Sequence, residues 1–351
     1  MEAIHGPAAF ARRLPLMKTT LFLLGASDNE AQSPSTRERV QGGVQVTTEF
    51  AGVLPILPYV MSDRTMSAKS HTVVVGVHEI ELARNARVNL FNLVGDADSS
   101  AAMLHNIEAI AGRIKPARLF NPPRHVFRTS RSRLPLTLAD IPGCIVPRVA
   151  GANPGNYAEL RSVCREFGVW PMIVRARGFH GGEHMVLLTE EAQLESLQGQ
   201  AWPYSGIFLI QYIDARNEQG LNHKIRVVMI DGVPYVRHCI YSDQWAVHSS
   251  ARGILMDHDS SLRRREEQFL ASFRDRGLVE YAAVFREIYQ RIGLDVFGID
   301  FALVDGRILV FEANACMSFV GARYGSDDRY QYLDNYVRDV RRALKKLLLT
   351  A

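Results

Sequence analysis

The sequence predicts a mixed fold of the α/β and α+β classes, with an open α/β domain at the N-terminus followed by two α+β subdomains. In the first third of the chain, short apolar runs alternate with patterns of helical period, which is typical of parallel strands joined by helices. Further along, alternation of period two flanks turn sequences, which indicates antiparallel hairpins. With 351 residues, of which 47% are hydrophobic and 22% charged, the chain can bury a large core and fill two or three subdomains.

Charge and cysteine usage narrow the class of protein. The chain has 41 basic and 37 acidic residues, a net charge of +4, which favours anionic ligands without requiring nucleic acid. Cys144, Cys164, Cys239 and Cys316 form no CxxC pair, so we expect neither disulfides nor structural zinc, and a reducing cytoplasm as the compartment. No apolar run approaches the roughly 20 residues that cross a bilayer, and we expect no membrane partner.

Residues 1–120 form the predicted N-terminal α/β domain. Ser99 or Ser100 can cap a helix whose apolar residues, from Met103 to Ile114, recur at helical spacing. The stretch Asp28–Lys69 has no assigned structure. Three apolar runs are expected to be buried parallel strands: Leu21–Leu24, Thr72–Val77 and Val88–Leu93.

Residues 121–210 combine a linker with a small α+β subdomain. The linker, Asn121–Pro154, is rich in proline and arginine. Beyond it, Ala158–Phe167 predicts a helix that ends at Gly168, and Trp170–Arg177 and His184–Leu188 predict paired strands.

The loop between these two strands has the sequence Gly178-Phe-His-Gly-Gly-Glu183. Glycines let backbone N–H groups approach a phosphate without a Cβ in the way, which predicts an anion-binding loop. The loop lacks the GxxxxGK[ST] pattern, so it is no Walker motif. A plain glycine hairpin is the alternative that the loop alone leaves open.

Residues 211–351 form the predicted C-terminal subdomain, which begins with a hairpin whose turn is Asp231–Gly232. Lys224 and Arg226 share one face of its first strand. Two neighbouring cations repel each other unless an anion lies between them, so this face is a candidate anion site, and a solvated face is the alternative. Aromatic and ionisable residues that follow predict the wall of a polar substrate site: Tyr235, Arg237, His238, Ser242, Trp245 and His248.

The hairpin Gly293–Val320 carries two carboxylates and a carboxamide. Asp300 lies on its first strand, and Glu312 and Asn314 share one face of its second. A two-residue turn alone would place Asp300 opposite Phe311, on the wrong face, because a shift of one residue moves every side chain to the other side. We therefore predict a loop of odd length or a bulge, which sets Asp300 opposite Glu312. Helices are expected around this hairpin, at Ser261–Arg274, Glu280–Ile292 and Asp327–Leu349.

These side chains would form a cluster of hard oxygen ligands suited to Mg²⁺, which takes carboxylates together with phosphate oxygens. Two exposed acids beside a turn are the alternative. The motif resembles that of the ATP-grasp enzymes, in which an Asp on one strand and a Glu-x-Asn on the next hold the metal ions that bridge the nucleotide phosphates. Asp300, Glu312 and Asn314 match that order and spacing. The resemblance covers Asn121–Arg342 and implies two α+β subdomains that clasp ATP.

The resemblance also implies roles for other residues. Lys224 or Arg226 would contact the terminal phosphate, and Arg226 can also stabilise an acyl phosphate and the oxyanion that follows it, so both are candidate catalytic residues. Arg175 stands where the family usually has a lysine. The residues implied in ATP binding are Arg175, Gly178, His180, Gly181, Gly182, Gln211, Tyr212, Ile213, Asp214 (or Glu218, for the ribose) and Lys224. One linker arginine, from Arg128, Arg131 and Arg133, would approach the phosphates, and the candidate substrate contacts are His238, His248 and Arg323.

The function that the resemblance implies is that of an ADP-forming carboxylate–amine ligase. It would use ATP and Mg²⁺, which Mn²⁺ can replace, and proceed through an acyl phosphate. The expected partners are small, amino-acid-like carboxylates and amines of metabolite or natural-product biosynthesis, and a homodimer is left open. A small-molecule kinase on the same scaffold and a non-catalytic ATP-binding regulator are the alternatives.

Overall fold

A computed structural model describes the chain in segments. Side chains are described for residues 19–28, 50–76, 87–178, 184–198, 206–248, 250–321 and 328–350, and the backbone also for 12–13, 35–40, 43–48 and 80–81. Among the described helices, none combines the length and the apolar character needed to span a bilayer.

The described strands and helices follow the predicted order of the α/β fold, and the mixed class is confirmed. The strands are β1 Arg12–Arg13, β2 Thr19–Leu24, β3 Ser35–Val40, β4 Gly43–Thr48, β5 Ser70–Val74, β6 Ile80–Glu81, β7 Val88–Asn92, β8 Arg118–Phe120, β9 Cys144–Ile145, β10 Val149–Ala152, β11 Met172–Ala176, β12 Met185–Leu188, β13 Ile207–Gln211, β14 Asn222–Ile230, β15 Val233–Ser242, β16 Val296–Val304 and β17 Arg307–Asn314. The helices are α1 Leu57–Ser62, α2 Arg64–Ser67, α3 Ala101–Ile114, α4 Pro123–Val126, α5 Leu134–Thr137, α6 Tyr157–Phe167, α7 Ser260–Ser272, α8 Leu278–Glu280, α9 Ala282–Ile292 and α10 Leu333–Thr350.

The N-terminal domain contains a parallel sheet of strand order β5-β2-β7-β8. The three runs predicted as buried strands lie within or beside β2, β5 and β7. Helix α3 follows Ser100, as predicted, but the serine hydroxyl makes no capping bond. The carboxylate of Asp28 accepts from the N–H groups of Ala102 (3.0 Å) and Met103 (3.3 Å) instead. The cap therefore comes from a residue distant in sequence.

The stretch left unassigned, Asp28–Lys69, contains the β3-β4 hairpin and two short helices. Pro58 lies in the first turn of α1, where its missing N–H has no helical partner to lose. Asp63 then caps α2 by accepting from the N–H groups of Thr65 and Met66. The elements are short, which is why their periodicity is weak in the sequence.

The small subdomain is an antiparallel sheet of order β10-β13-β11-β12 covered by α6. The side chain of Asn156 accepts from the Glu159 N–H at the start of α6, and Gly168 ends the helix at a φ of 63°. The predicted helix and its terminator are thus confirmed. Its apolar side packs on the sheet through Leu160, Cys164 and Phe167.

The C-terminal subdomain is a sheet of order β15-β14-β16-β17-β9, in which only β9 runs parallel to its neighbour. The predicted turn at Asp231–Gly232 joins β14 to β15, with positive φ at both residues as a two-residue hairpin requires. Helix α10 begins at Leu333, later than predicted, because residues 328–330 form a separate 3₁₀ turn.

The apolar cores divide the molecule into two bodies. Two clusters each combine strands of the N-terminal sheet with strands of the C-terminal sheet, and both include residues of α10. A third cluster consists of small-subdomain residues alone. The N-terminal and C-terminal parts therefore form one block, and the small subdomain packs around a core of its own.

Asn121 joins the two sheets of that block. Its Nδ2 donates to the Val296 carbonyl (2.8 Å), and its Oδ1 accepts from the Val296 N–H (2.9 Å). Its own N–H donates to Asp295, which also accepts from Arg118. Asn121 is fully buried and has a φ of 48°, a conformation that Asn tolerates better than most residues.

Replacing this residue should destabilise the fold. Asn121→Ala leaves two buried backbone groups of Val296 without their side-chain partner, and alanine is strained at this φ. We expect a loss of about 3 kcal/mol in the free energy of unfolding, measured by urea denaturation. Asn335→Ala, on an exposed position of α10, should change it by less than about 0.5 kcal/mol. Equal effects of the two variants would contradict the role of Asn121.

Candidate active site

A cleft of about 660 Å³ lies between the small-subdomain sheet and the C-terminal sheet. Its volume is within the range of small-ligand sites. Arg175 and Gln211 line it from the small subdomain, and Lys224, Asp300 and Glu312 line it from the C-terminal sheet. The cleft therefore brings together residues that the sequence predicted as one site.

The pairing of β16 with β17 places the two carboxylates on one face. The turn has two residues, Asp305 and Gly306, both at positive φ, and Val304 pairs with Arg307. The register then shifts between Asp300 and Phe301, so that Asp300 pairs with Glu312. A bulge at Phe311, rather than an odd-length loop, thus achieves the predicted pairing.

The bulge also directs a second residue into the site. A bulge lets two consecutive residues oppose a single partner residue, and Phe311 lines the cleft although it directly precedes Glu312. Its side chain is 38% exposed, unusual for a large apolar residue in a sheet. Sequence reasoning missed Phe311, since strict alternation assigns it to the opposite face.

Asp300 is held by two cations from the neighbouring strand. Arg226 donates to it through Nε (2.7 Å) and Nη2 (2.8 Å), and Lys224 Nζ lies 3.3 Å from Oδ2. Burial by itself would raise the pKa of Asp300, but Arg226 and Lys224 outweigh it and lower the pKa to about 2. The carboxylate is therefore ionised, and the like charges of Lys224 and Arg226 have an anion between them.

Glu312 interacts with the linker. Arg131 Nη2 lies 3.3 Å from its Oε1, and Asn314 Nδ2 donates to the same atom. Burial would raise the pKa of Glu312, yet Arg131 and the other cations lower it overall. Of the three linker arginines, Arg131 lines the cleft, whereas Arg128 donates to the carbonyls of Arg291 and Ile292.

A smaller cavity of about 70 Å³ adjoins the cleft. Arg131, Arg175 and Glu312 line both cavities, and Asp96 and Asp98 line the smaller one from the N-terminal domain. Sequence reasoning missed these two aspartates. The signal was present, because they follow β7 at the carboxyl edge of a parallel sheet, where ligand sites of α/β domains are found.

The opposite wall of the cleft is basic. Arg175 is on β11, and burial followed by the nearby Arg131 lowers its pKa to about 10, so it stays charged at neutral pH. Gly178 follows at a φ of 79° and lines the smaller cavity. His180, Gly181 and Gly182 of the predicted glycine loop lie outside the described residues.

The residues predicted to meet adenine lie where β13 ends. Gln211 Oε1 accepts from the Arg148 N–H (3.2 Å), which directs its NH₂ group away from that contact. The Tyr212 N–H donates to the Pro171 carbonyl (3.0 Å), so the Tyr212 carbonyl is the backbone group that can meet a ligand. Asp214 is held by Arg216 at 2.9–3.0 Å. Trp245 packs edge-to-face on the Tyr212 ring at 6.3 Å.

The predicted substrate residues differ in their placement. His238 and His248 both line the cleft, and in the described part of the chain the Nε2 atom of each is buried without a hydrogen-bond partner. Burial, and then the charge of Arg226, lowers the pKa of His238. Burial, and then the charge of Lys224, lowers the pKa of His248, so both imidazoles are neutral at pH 7. Arg323 lies outside the described residues.

The oxygen ligands present fit a magnesium ion. Within the described segments, no trio of His, Cys, Asp or Glu forms a metal cage; Asp300 and Glu312 are accompanied by the amide of Asn314. Mg²⁺ usually binds one or two carboxylates and completes its shell with water and substrate phosphates. The set therefore suits Mg²⁺ in the presence of a phosphate ligand.

The charge of the cleft selects anionic ligands. Among the described lining residues, five are cationic at neutral pH and two are carboxylates. The cations are Arg131, Arg175, Lys224, Arg226 and Arg237, and the carboxylates are Asp300 and Glu312. A net excess of three positive charges in a cleft attracts a polyanion.

Comparison with known proteins gives fold likeness at low identity. No protein-family model matches the chain, and no curated protein matches it significantly. Among solved structures, the chain is similar to a RimK-domain ATP-grasp protein from Sphaerobacter thermophilus, at 13% identity and a TM-score of 0.49 over 94% of this chain and 100% of the other. It is similar to the D-alanine–D-alanine ligase of Bacillus anthracis, at 12% and 0.45 over 93% and 99%. The ATP-grasp ligase PsnB matches at 15% and 0.44 over 93% and 100%. These likenesses concern the fold alone.

Removing the Asp300 charge should make stability depend less on pH. The folded pKa of Asp300, about 2, is below the ordinary 3.8, so its ion pairs stabilise the fold above pH 4 and lose this contribution as the pH falls towards 2. Asp300→Asn removes the anion that lies between Lys224 and Arg226, so we expect about 3 kcal/mol lower stability at pH 7 and a deficit that shrinks between pH 4 and 2. Urea denaturation at several pH values measures it.

The matched control is Asp305→Asn, an exposed turn residue at a φ that Asn also tolerates. It should change stability by less than about 0.5 kcal/mol at every pH. A deficit for Asp300→Asn that is constant from pH 7 to pH 2 would contradict the ion pairing described.

Proposed function

We propose that this chain is an ATP-grasp ligase that joins a carboxylate to an amine with release of ADP and phosphate. The observation that carries the proposal is the polar row across the C-terminal sheet, in which Lys224 and Arg226, Asp300, and Glu312 with Asn314 come from three adjacent strands. Arg175 faces this row across the cleft. The arrangement offers cations and oxygen ligands together, which a triphosphate with its metal requires.

The nucleotide would lie along the cleft, with its base at the end of β13. The Tyr212 carbonyl can accept from the adenine amino group, and the Gln211 NH₂ can donate to N7, since adenine presents an acceptor and a donor on this edge. Phe311 supplies an apolar surface for the ring. Asp214 or Glu218 would meet the ribose.

The phosphates would lie among Arg131, Arg175 and Lys224. Arg226 already uses Nε and Nη2 on Asp300 and Nη1 on the Ser318 carbonyl, so it is fixed in place. The described contact of Lys224 is the single one at 3.3 Å to Asp300. Lys224 is therefore better placed to move onto the terminal phosphate, while Arg226 holds the floor of the site.

Asp300, Glu312 and Asn314 would hold Mg²⁺, or Mn²⁺ in its place. When bound, the ion would neutralise charge on the phosphate oxygens. Asn314 donates to Glu312 and accepts from the Cys316 N–H (3.0 Å), so its amide orientation is fixed. Its NH₂ group therefore faces the Glu312 carboxylate and its oxygen faces the Cys316 N–H, and the second lone pair of that oxygen would be the one available to the ion.

The proposed reaction needs no side-chain nucleophile. A substrate carboxylate oxygen attacks the γ-phosphorus, the bond to the bridging oxygen breaks, and ADP leaves. The amine nitrogen then attacks the acyl carbon, inorganic phosphate leaves with its bonding electrons, and the nitrogen loses a proton. Arg226 and Lys224 would stabilise the negative charge on the transferring group and on the tetrahedral intermediate. Neutral His238 and His248 can donate or accept a hydrogen bond to the substrates.

A product assay tests the reaction type. Pairs of amino-acid-like carboxylates and amines are screened with ATP and Mg²⁺, and we expect substrate-dependent ADP and phosphate with an amide product. Hydroxylamine in place of the amine should yield a hydroxamate, because it captures an acyl phosphate. AMP and pyrophosphate as products would overturn the proposal. ADP with a phosphorylated product and no hydroxamate would identify a kinase instead.

Glu312→Gln tests the metal role. The amide keeps the shape but removes the charge, so we expect a fall of about 100-fold in kcat/KM and a rise of about tenfold in the Mg²⁺ concentration for half-maximal activity. Glu195→Gln, on an exposed turn of the small subdomain, is the control and should match the wild type. An unchanged Mg²⁺ dependence in Glu312→Gln would remove Glu312 from the metal site.

The compartment and assembly stay predictions. All four cysteines are free thiols, which accords with the reducing cytoplasm expected from the sequence. The screen uses small substrates because the volume of the cleft suits them. Light scattering tests separately whether the chain forms a homodimer.

A further inference from the structure

A short segment at one end of the cleft is fixed by arginines. The segment, Ser318–Gly321, follows Asn314 closely and belongs to none of the described strands or helices. Ser318 and Gly321 line the large cleft. Because it has no strand partner, its backbone carbonyls need other hydrogen-bond donors.

Each of the four carbonyls of this segment accepts a hydrogen bond from a guanidinium group. The bonds measure between 2.8 and 3.2 Å, and they run from Arg226 to Ser318, from Arg237 to Phe319 and Gly321, and from Arg341 to Val320. Hydrogen bonds from charged donors are the stronger kind. These hydrogen bonds therefore fix the backbone of the segment at each of its four residues.

Arg341 differs from the other two arginines because it is on α10, outside the residues that line the cleft. Its guanidinium lies over the Tyr59 ring at 5.2 Å, and the Tyr59 hydroxyl donates to its carbonyl (2.9 Å). On the next turn of α10, Lys345 pairs with Asp63 at 2.6 Å. The N-terminal domain thus holds α10, and α10 holds the segment.

Apolar contacts act in the same direction. Phe319 and Val320 are 1% and 4% exposed and pack in the cluster that contains Val340 and Leu344 of α10. The segment therefore has side chains anchored in the core and carbonyls anchored on arginines. Its remaining freedom is small, although it borders an open cleft.

We propose that Arg341 is a positioning residue for the substrate end of the cleft, acting through the Val320 carbonyl. This inference rests on the proposed ligase function for its kinetic consequence only. Ser318 accepts from the same Arg226 that holds Asp300, whereas the described hydrogen bonds of Ser318–Gly321 involve neither Gln211 nor Tyr212, the residues proposed to meet adenine. Loss of the Arg341 bond should loosen the substrate wall and leave the nucleotide contacts intact.

The test compares Arg341→Met with Arg342→Met. Arg342 is the next residue of the same helix, is exposed, and forms its one described ion pair with Asp339, so it is a matched control for charge and helix position. Hydrogen–deuterium exchange of peptides covering 318–321 should speed up about tenfold in Arg341→Met and stay unchanged in Arg342→Met. Arg341→Lys, which keeps a charged donor, should restore part of the protection.

Steady-state kinetics gives the second readout. We expect Arg341→Met to raise the KM of the carboxylate or amine by about tenfold, with the KM of ATP within twofold of the wild type. Unchanged exchange at 318–321, or equal changes in the KM of ATP and of the substrates, would overturn the proposal. If no substrate pair yields ADP in the wild type, the ligase proposal fails, and the exchange result still decides whether Arg341 positions the segment.

Discussion

The site depends on a single extra residue in one strand. Without the bulge at Phe311, the pairing that starts from the two-residue turn would place Glu312 opposite Ile299 and its carboxylate on the face away from Asp300. With it, the acidic side chains adjoin, and the cations of β14 fall in the same row because Arg226 pairs with Asp300. Backbone register therefore determines the electrostatics of the whole cleft.

The two carboxylates of this cleft form ion pairs with cationic side chains. Asp300 lies between Lys224 and Arg226, and Glu312 lies beside Arg131. Burying such groups is costly unless each has a partner, and the strands supply those partners before any ligand enters. When a polyanion enters with its own cation, the basic side chains can pair with the polyanion and the carboxylates with the cation. This exchange of partners has little electrostatic cost. The surplus of positive charge then favours the exchange.

The sequence predicts the local features of this fold better than those that depend on tertiary contacts. Helix α6 and its end at Gly168 follow from periodicity and a glycine at the expected place. The pairing of Asp300 with Glu312 follows from strand alternation once the two carboxylates are required to share one face. Which linker arginine reaches the cleft does not follow, because Arg128 and Arg131 differ in tertiary surroundings rather than in local pattern. The cap of α3 by Asp28 is hidden for the same reason. Short elements with weak periodicity account for the unassigned stretch.

The separate core of the small subdomain bears on how the cleft would open. The sheet β10-β13-β11-β12 and α6 bury their apolar side chains against each other. Rotating the small subdomain away from the other two parts of the chain would therefore expose little apolar surface. Such a rotation would be resisted by contacts across the cleft, such as the edge-to-face packing of Trp245 on Tyr212. Opening of the cleft would then depend on a few individual contacts rather than on exposing a buried core.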